Sequence, residues 1–171
     1  LVFTYDADGV TMEYTGYDGR LIKQTDVNML AYPLGVITDR EQTLRDINYY
    51  FDRIDPNGPA MSNAIIAVLH ARLGDPETAF KVFKKSYSDK LRPPFGVLSE
   101  NANNSRVSFA TGLGGILQSV IFGFAGVEIT PEGIIQLPTR LPSHWKSLTV
   151  TGVGVDRQTF KVENPDYKAT K

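Results

Sequence analysis

Glu100 is the carboxylate of this chain best placed for acid–base chemistry. It follows the short apolar run Phe95-Gly-Val-Leu98 and precedes the amides Asn101, Asn103 and Asn104. A carboxylate fixed in such a loop can orient and deprotonate water. Read locally, a solvated loop Glu satisfied by its neighbours is the favoured reading. The pair Lys23-Gln24 lies between a Tyr- and Gly-rich stretch and the start of an apolar helix. Lys brings three donors and Gln a donor and an acceptor, a set that can grip vicinal hydroxyls. The bland alternative is a polar helix entrance. Tyr14, Tyr17 and Tyr32 could stack on sugar rings or simply pack.

Other chemistries find little support. The chain has no cysteine, so thiol nucleophiles, disulfides and thiolate metal sites are out. Its two histidines, His70 and His144, have no zinc-site spacing. Neither a metal nor any other cofactor is expected. Asp6, Asp8 and Gly9 read as a turn and not a calcium loop. The net charge is -1 and no basic stripe appears, which argues against a nucleic-acid partner. Lys81, Lys84 and Lys85 read as a solvated helix face. With no apolar run of membrane-spanning length, a soluble protein is expected. The compartment stays open, with periplasm and secretion as options. Asn103-Asn-Ser105 matches a glycosylation sequon, a tripeptide common by chance. Gly112-Leu-Gly-Gly115 is not a phosphate loop, because no Lys follows and no strand precedes it.

The elements that must hold Glu100 and Lys23 are mostly helical. Thr38-Asp-Arg-Glu41 reads as a capping box opening a helix with Leu44, Ile47, Phe51 and Ile54 at helical period. Asp55-Pro-Asn-Gly-Pro59 ends it and opens the next, which Gly74 stops. Asp75-Pro-Glu77 starts a third helix as N-cap, N1 and N2. A fourth, from about Val107 to Phe124, is apolar nearly all round and is expected to be buried. Its Gly112, Gly114, Gly115 and Gly123 cost helix stability, so another backbone should pass close by. After Gly126 the period becomes two, giving short strands at 127–130, 133–137, 147–153 and 158–162. His144-Trp145 among them reads as a packing anchor, and residues 168–171 as a frayed end.

Several of these segments together resemble glycoside hydrolase family 65. They are Ile22-Lys-Gln-Thr-Asp-Val27 with Tyr32-Pro-Leu34, Asp55-Pro-Asn-Gly-Pro-Ala-Met61, Leu98-Ser-Glu-Asn-Ala102 and Phe109-Ala-Thr-Gly-Leu-Gly-Gly-Ile-Leu-Gln118. The branch is that of acid trehalase-like enzymes and the glucosidase of glucosyl-galactosyl-hydroxylysine, and the likeness covers residues 9–155.

The resemblance implies a mainly α fold with a β tail. Residues 1–125 would be the last helices of an (α/α)6 catalytic barrel, and 126–171 a small antiparallel β domain. It implies inverting hydrolysis of an α-glucosidic bond, with Glu100 as the base and Lys23 and Gln24 as sugar-binding residues. Such a pair of acid and base stands roughly 6.5–9.5 Å apart. The general acid would lie upstream, outside this C-terminal fragment. Expected partners are an α-glucoside or oligosaccharide and the remainder of the barrel, with neither nucleic acid nor membrane. Two other readings stay open, a phosphorylase of the same family and a non-catalytic carbohydrate-binding helical fragment. Against the phosphorylase stands the anion-binding region, which here offers Glu100, Ser108 and Thr111 and no His.

Overall fold

In the computed structural model, residues 2–103 and 108–168 are described. Five α-helices come first: α1 Asp26–Met29, α2 Arg40–Phe51, α3 Ala60–Arg72, α4 Pro76–Lys85 and α5 Ala110–Gln118. A small hairpin, β1 Leu91–Arg92 and β2 Val97–Leu98, intervenes before α5. Two antiparallel hairpins follow, β3 Val127–Thr130 with β4 Gly133–Gln136, and β5 Ser147–Val153 with β6 Gln158–Glu163. The chain is therefore mainly α with a β tail, as the sequence patterning predicts. Among the described residues no helix is long and apolar enough to cross a membrane.

The helix starts follow local chemistry, with one correction. The N-cap of α2 is Asp39, not Thr38, and its carboxylate accepts from the Gln42 N–H at 2.7 Å. The cap is thus shifted by one residue, and the Gln42 side chain turns to Gly9 O, Thr11 Oγ1 and Asp46 Oδ1. Asp75 caps α4 as expected, accepting from Thr78 N–H at 3.0 Å with Pro76 in the first turn. Gly74 follows the end of α3 at φ +81°, a conformation that suits glycine after a helix.

Helix α3 is the centre of the molecule. From Ala64 to Ala71 every residue is buried, and α4 and α5 pack against it. The glycines of α5 explain how closely. A Cβ on Gly112 would lie 3.0 Å from Ala60 Cβ, and one on Gly115 would lie 2.9 Å from Ala64 Cβ. One on Gly123 would lie 3.2 Å from the Val68 Cα. Gly114 is different, with nothing within 4 Å of that position. So three of the four glycines serve close approach and the fourth does not.

Two further expectations about the last helix need correction. It does not stay α-helical to Phe124, because Ser119–Phe124 is a π-helical turn. It is also not buried all round: Leu113 and Leu117 are 45% and 60% exposed. The proposed start at Val107 lies outside the described residues, as do the last two residues of the sequon.

The β tail is joined to the helices by an aromatic cluster. Trp145 stacks on Phe124 at 4.9 Å and meets Phe80 edge-on at 5.6 Å, so the packing-anchor reading holds. His144 lies edge-on to Phe80 at 4.4 Å. Near α3 and α5, the Arg72 guanidinium sits 4.6 Å over the Tyr32 ring and pairs with Glu128 of β3.

Substituting Gly115→Ala should destabilise the fold by about 1–3 kcal/mol through overpacking against Ala64. Gly114→Ala should be neutral or stabilising by up to about 1 kcal/mol. Denaturant unfolding of both variants checks the contrast, and equal effects would refute the close-approach account. Burial of His70 lowers its pKa below 6.5, with Asp75 partly opposing. The unfolded state then binds the extra proton, so stability is complete above pH 6.5 and falls as pH drops below it. Melting temperatures from pH 5 to 8 should show that slope, and His70→Gln should flatten it.

Candidate functional site

Three loops converge where the helices begin, and each leads into the N-terminus of one helix. The first carries Lys23-Gln24 into α1. The second, 55–59, leads into α3, and the third, described over 99–103 and 108–109, comes before α5. Backbone hydrogen bonds lock the first to the second: Ile22 N–H donates to Arg53 O and Asp55 N–H to Ile22 O, both at 2.8 Å. The second is locked to the third by Ala60 N–H, which donates to the Glu100 carbonyl at 3.0 Å.

Gly58 lies between them. A Cβ there would stand 2.7 Å from Asp55 O and 3.0 Å from Lys23 O. Only a bare backbone lets these loops close up. Asn57 and Asn103, on the second and third loops, are joined by a side-chain hydrogen bond.

The side chains follow the backbones. Lys23 Nζ stands 3.8 Å from Glu100 Oε1. The carboxylate is 25% exposed and the ammonium 70%. Glu100 therefore projects from the end of a buried strand, since Leu98 and Ser99 are both buried. Gln24 is exposed beside Lys23. Both help line a cleft of about 400 Å³ with Glu13, Tyr14, Tyr17 and Asp26. Glu100 lies outside that wall. The structure thus brings two of the three expected residues together and sets Gln24 on an adjoining surface.

The tyrosines divide between the two roles left open. Tyr17 and Tyr32 are buried and pack; Tyr14 is half exposed on the cleft. The Tyr32 hydroxyl donates to Gln118 Oε1 at 2.8 Å, and burial pushes its pKa up to about 12.

The N-terminal arm positions the first loop. Asp46 of α2 accepts from Thr11 N–H at 2.9 Å and from the Thr11 hydroxyl at 2.8 Å, while Tyr50 donates to Thr11 O at 2.7 Å. Glu13, next along, was not singled out from the sequence. Its Oε2 is buried without a hydrogen-bond partner, and burial together with nearby Asp26 raises its pKa while the Val27 N–H opposes. A Glu at an i+2 position after a buried Thr carries no sequence signal of its own.

Beyond the loops, Ser108 has φ +63°, an unusual left-handed conformation for a non-glycine residue at the entrance to α5. Ser108 and Thr111 are both exposed. Among the described residues, no three His, Asp or Glu side chains gather as a metal site.

No protein-family model matches the chain. Individual proteins do. It is 49% identical over 157 residues to kojibiose hydrolase of Mucilaginibacter mallensis, covering 91% of the chain and 23% of that protein. It is 36% identical over 150 residues to protein-glucosylgalactosylhydroxylysine glucosidase of Dictyostelium discoideum, covering 88% of the chain and 21% of that protein. With cell wall acid trehalase of Arthroderma benhamiae it shares 32% over 149 residues, 80% of the chain and 14% of that protein.

The chain is a relative of the family 65 glycoside hydrolases. It spans about a fifth of the length of the curated relatives it matches. These relatives are enzymes, hydrolases of glycosides by name. A solved structure named as a kojibiose phosphorylase from human microbiome shares the fold, with a TM-score of 0.64 at 21% identity. The match covers 84% of this chain and 19% of that one.

Gly58→Ala should push the 55–59 loop off Lys23 O. A crystal structure of the variant should show Lys23 Nζ more than about 4 Å from Glu100, outside ion-pair range. An unchanged separation would mean the glycine is not what sets this junction.

Proposed function

We propose that this chain forms one wall of the catalytic pocket of an α-glucoside hydrolase. On this reading residues 1–125 are the last helices of an (α/α)6 barrel, and 126–171 are its small β domain. Glu100 is the base. It takes a proton from water as the water oxygen attacks the anomeric carbon, on the face opposite the leaving oxygen. Anomeric configuration inverts, and a general acid from outside this chain protonates the leaving group. Lys23 and Gln24 hold sugar hydroxyls.

The observation that carries this is the 3.8 Å approach of Lys23 to Glu100. Two loops remote in sequence deliver a donor group and an acceptor group to one spot. That is the arrangement a hydroxyl-bearing substrate with an attacking water requires. A site built only for solvation has no need to converge. The relatives' names point to kojibiose, trehalose and glucosylgalactosylhydroxylysine as substrates to try first.

The phosphorylase alternative asks the same pocket to accept an anion in place of water. A carboxylate at Glu100 repels phosphate, so hydrolysis is the better-supported reading.

In the full-length protein, Glu100→Gln should lower kcat for glucose release by at least about 100-fold, the range of a lost general base. Lys23→Ala should chiefly raise KM, by about 10-fold, as expected for one lost charged hydrogen bond. Proton NMR of the first-formed glucose should show the β-anomer. Undiminished glucose release from Glu100→Gln would sink the assignment. Sugar binding without any turnover by the unmodified protein would favour the non-catalytic module.

A further inference from the structure

The loop Arg92-Pro-Pro-Phe95 plays no part in the reading above, yet its arginine reaches the Glu100 loop. Arg92 Nη2 donates to Asn101 O at 3.0 Å and to Ala102 O at 2.6 Å. Its Nη1 donates to Asp89 O at 3.0 Å, which anchors the guanidinium on the segment after α4. The hairpin sets its reach, with Leu91 paired to Leu98 and Arg92 to Val97. Ser99 adds a second tie, its buried hydroxyl lying 2.9 Å from Lys90 O and 2.7 Å from Asn101 O.

Three successive carbonyls, at 100, 101 and 102, are therefore held from outside the loop. The first is held by Ala60 N–H of α3, and the next two by Arg92. Carbonyls on adjacent residues are a demanding target. Both accept from the one Nη2, whose two N–H groups are fixed in the guanidinium plane while Nη1 is tied to Asp89 O; an ammonium on a flexible stem has no such plane.

We propose that Arg92 is a positioning residue that holds the backbone immediately after Glu100 in the geometry needed for water activation. This rests on the reading of Glu100 as the base. On this proposal Arg92 acts through the loop and not on the sugar or the water. Removing it lets the carboxylate drift while Lys23 and the sugar contacts stay in place. A displacement of about 1 Å at a reacting group can cost about 100-fold in rate. The loss should therefore fall on kcat and leave KM alone.

The test compares Arg92→Ala, Arg92→Lys and Glu100→Gln in the full-length protein, using kojibiose or whichever α-glucoside it cleaves fastest. Arg92→Ala should lower kcat by about 10- to 100-fold with KM and the inhibition constant of glucose within about 3-fold of the parent. Arg92→Lys, which keeps charge and most of the stem, should restore only part of that loss at an unchanged melting temperature. If Arg92→Ala does not fold, Arg92→Lys carries the test, with the same kcat-selective loss expected. Parental kcat in Arg92→Lys, or a fall in kcat that merely tracks the folded fraction, overturns the proposal. If Glu100→Gln keeps full activity, the base assignment fails and this proposal with it. If Glu100→Gln is inactive and both arginine variants are normal, only the positioning role fails.

Discussion

The close approach of α5 to α3 is the constraint on which the rest of the structure depends. Gly112 and Gly115 of α5, and Gly123 of the π-helical turn that continues it, remove the side chains that would stand against α3. Glycine weakens an isolated helix by about 1 kcal/mol relative to Ala. Close packing returns that cost through dispersion contacts along Ala60, Ala64 and Val68, where another Cβ would find no room. The consequence is positional. With the two helices in contact near their N-termini, the segments before them, 55–59 and 99–103, are forced together. The Ala60 N–H to Glu100 O hydrogen bond is the first product of that proximity. Glu100 is thereby carried on a rigid pair of helices although it sits in a loop.

Polar atoms then complete what packing begins. The N-terminal arm reaches the site only because Asp46 and Tyr50 of α2 take all three polar groups of Thr11. Buried groups of this kind are costly unless satisfied, so the arm has one seat and not many. From that seat Ile22 exchanges hydrogen bonds with Arg53 and Asp55, just past the end of α2, and Lys23 emerges beside Gly58. The distance between Lys23 and Glu100 is thus the sum of a glycine-mediated helix contact and a threonine anchor. Neither of those groups belongs to the site.

Much of this fold is legible in the sequence because its signals are local. Asp75-Pro-Glu77 caps α4 through its own neighbours, and the period-two runs after Gly126 become the observed hairpins. Signals that are nearly degenerate shift by a residue: Thr38 and Asp39 both suit an N-cap, and Asp39 is the one that caps. The π-helical turn at Ser119–Phe124 has no local marker, and the half-exposed Leu113 and Leu117 look like core residues in any one-dimensional reading. At the site, the chemistry of Glu100 and Lys23 can be read from residue type, but their meeting cannot. Arg92 is less legible still. Its targets at 101 and 102 are backbone carbonyls, which every residue possesses, so no pair of side-chain types marks the contact.

The fold alone does not decide between water and phosphate as the attacking group. The solved structure that shares this fold is named as a phosphorylase, whereas the relatives of higher identity are named as hydrolases. A shared fold does not fix the chemistry, since function lives in what the scaffold presents. What this chain presents at the junction of its loops is a carboxylate whose backbone carbonyls are fixed by Ala60 and Arg92. A small neutral nucleophile can sit against a carboxylate and lose a proton to it; a phosphate dianion meets repulsion at the same spot. Converting such a site to phosphorolysis would require more than adding anion donors. On the proposed reading of Glu100 as the base, the carboxylate itself would have to be replaced.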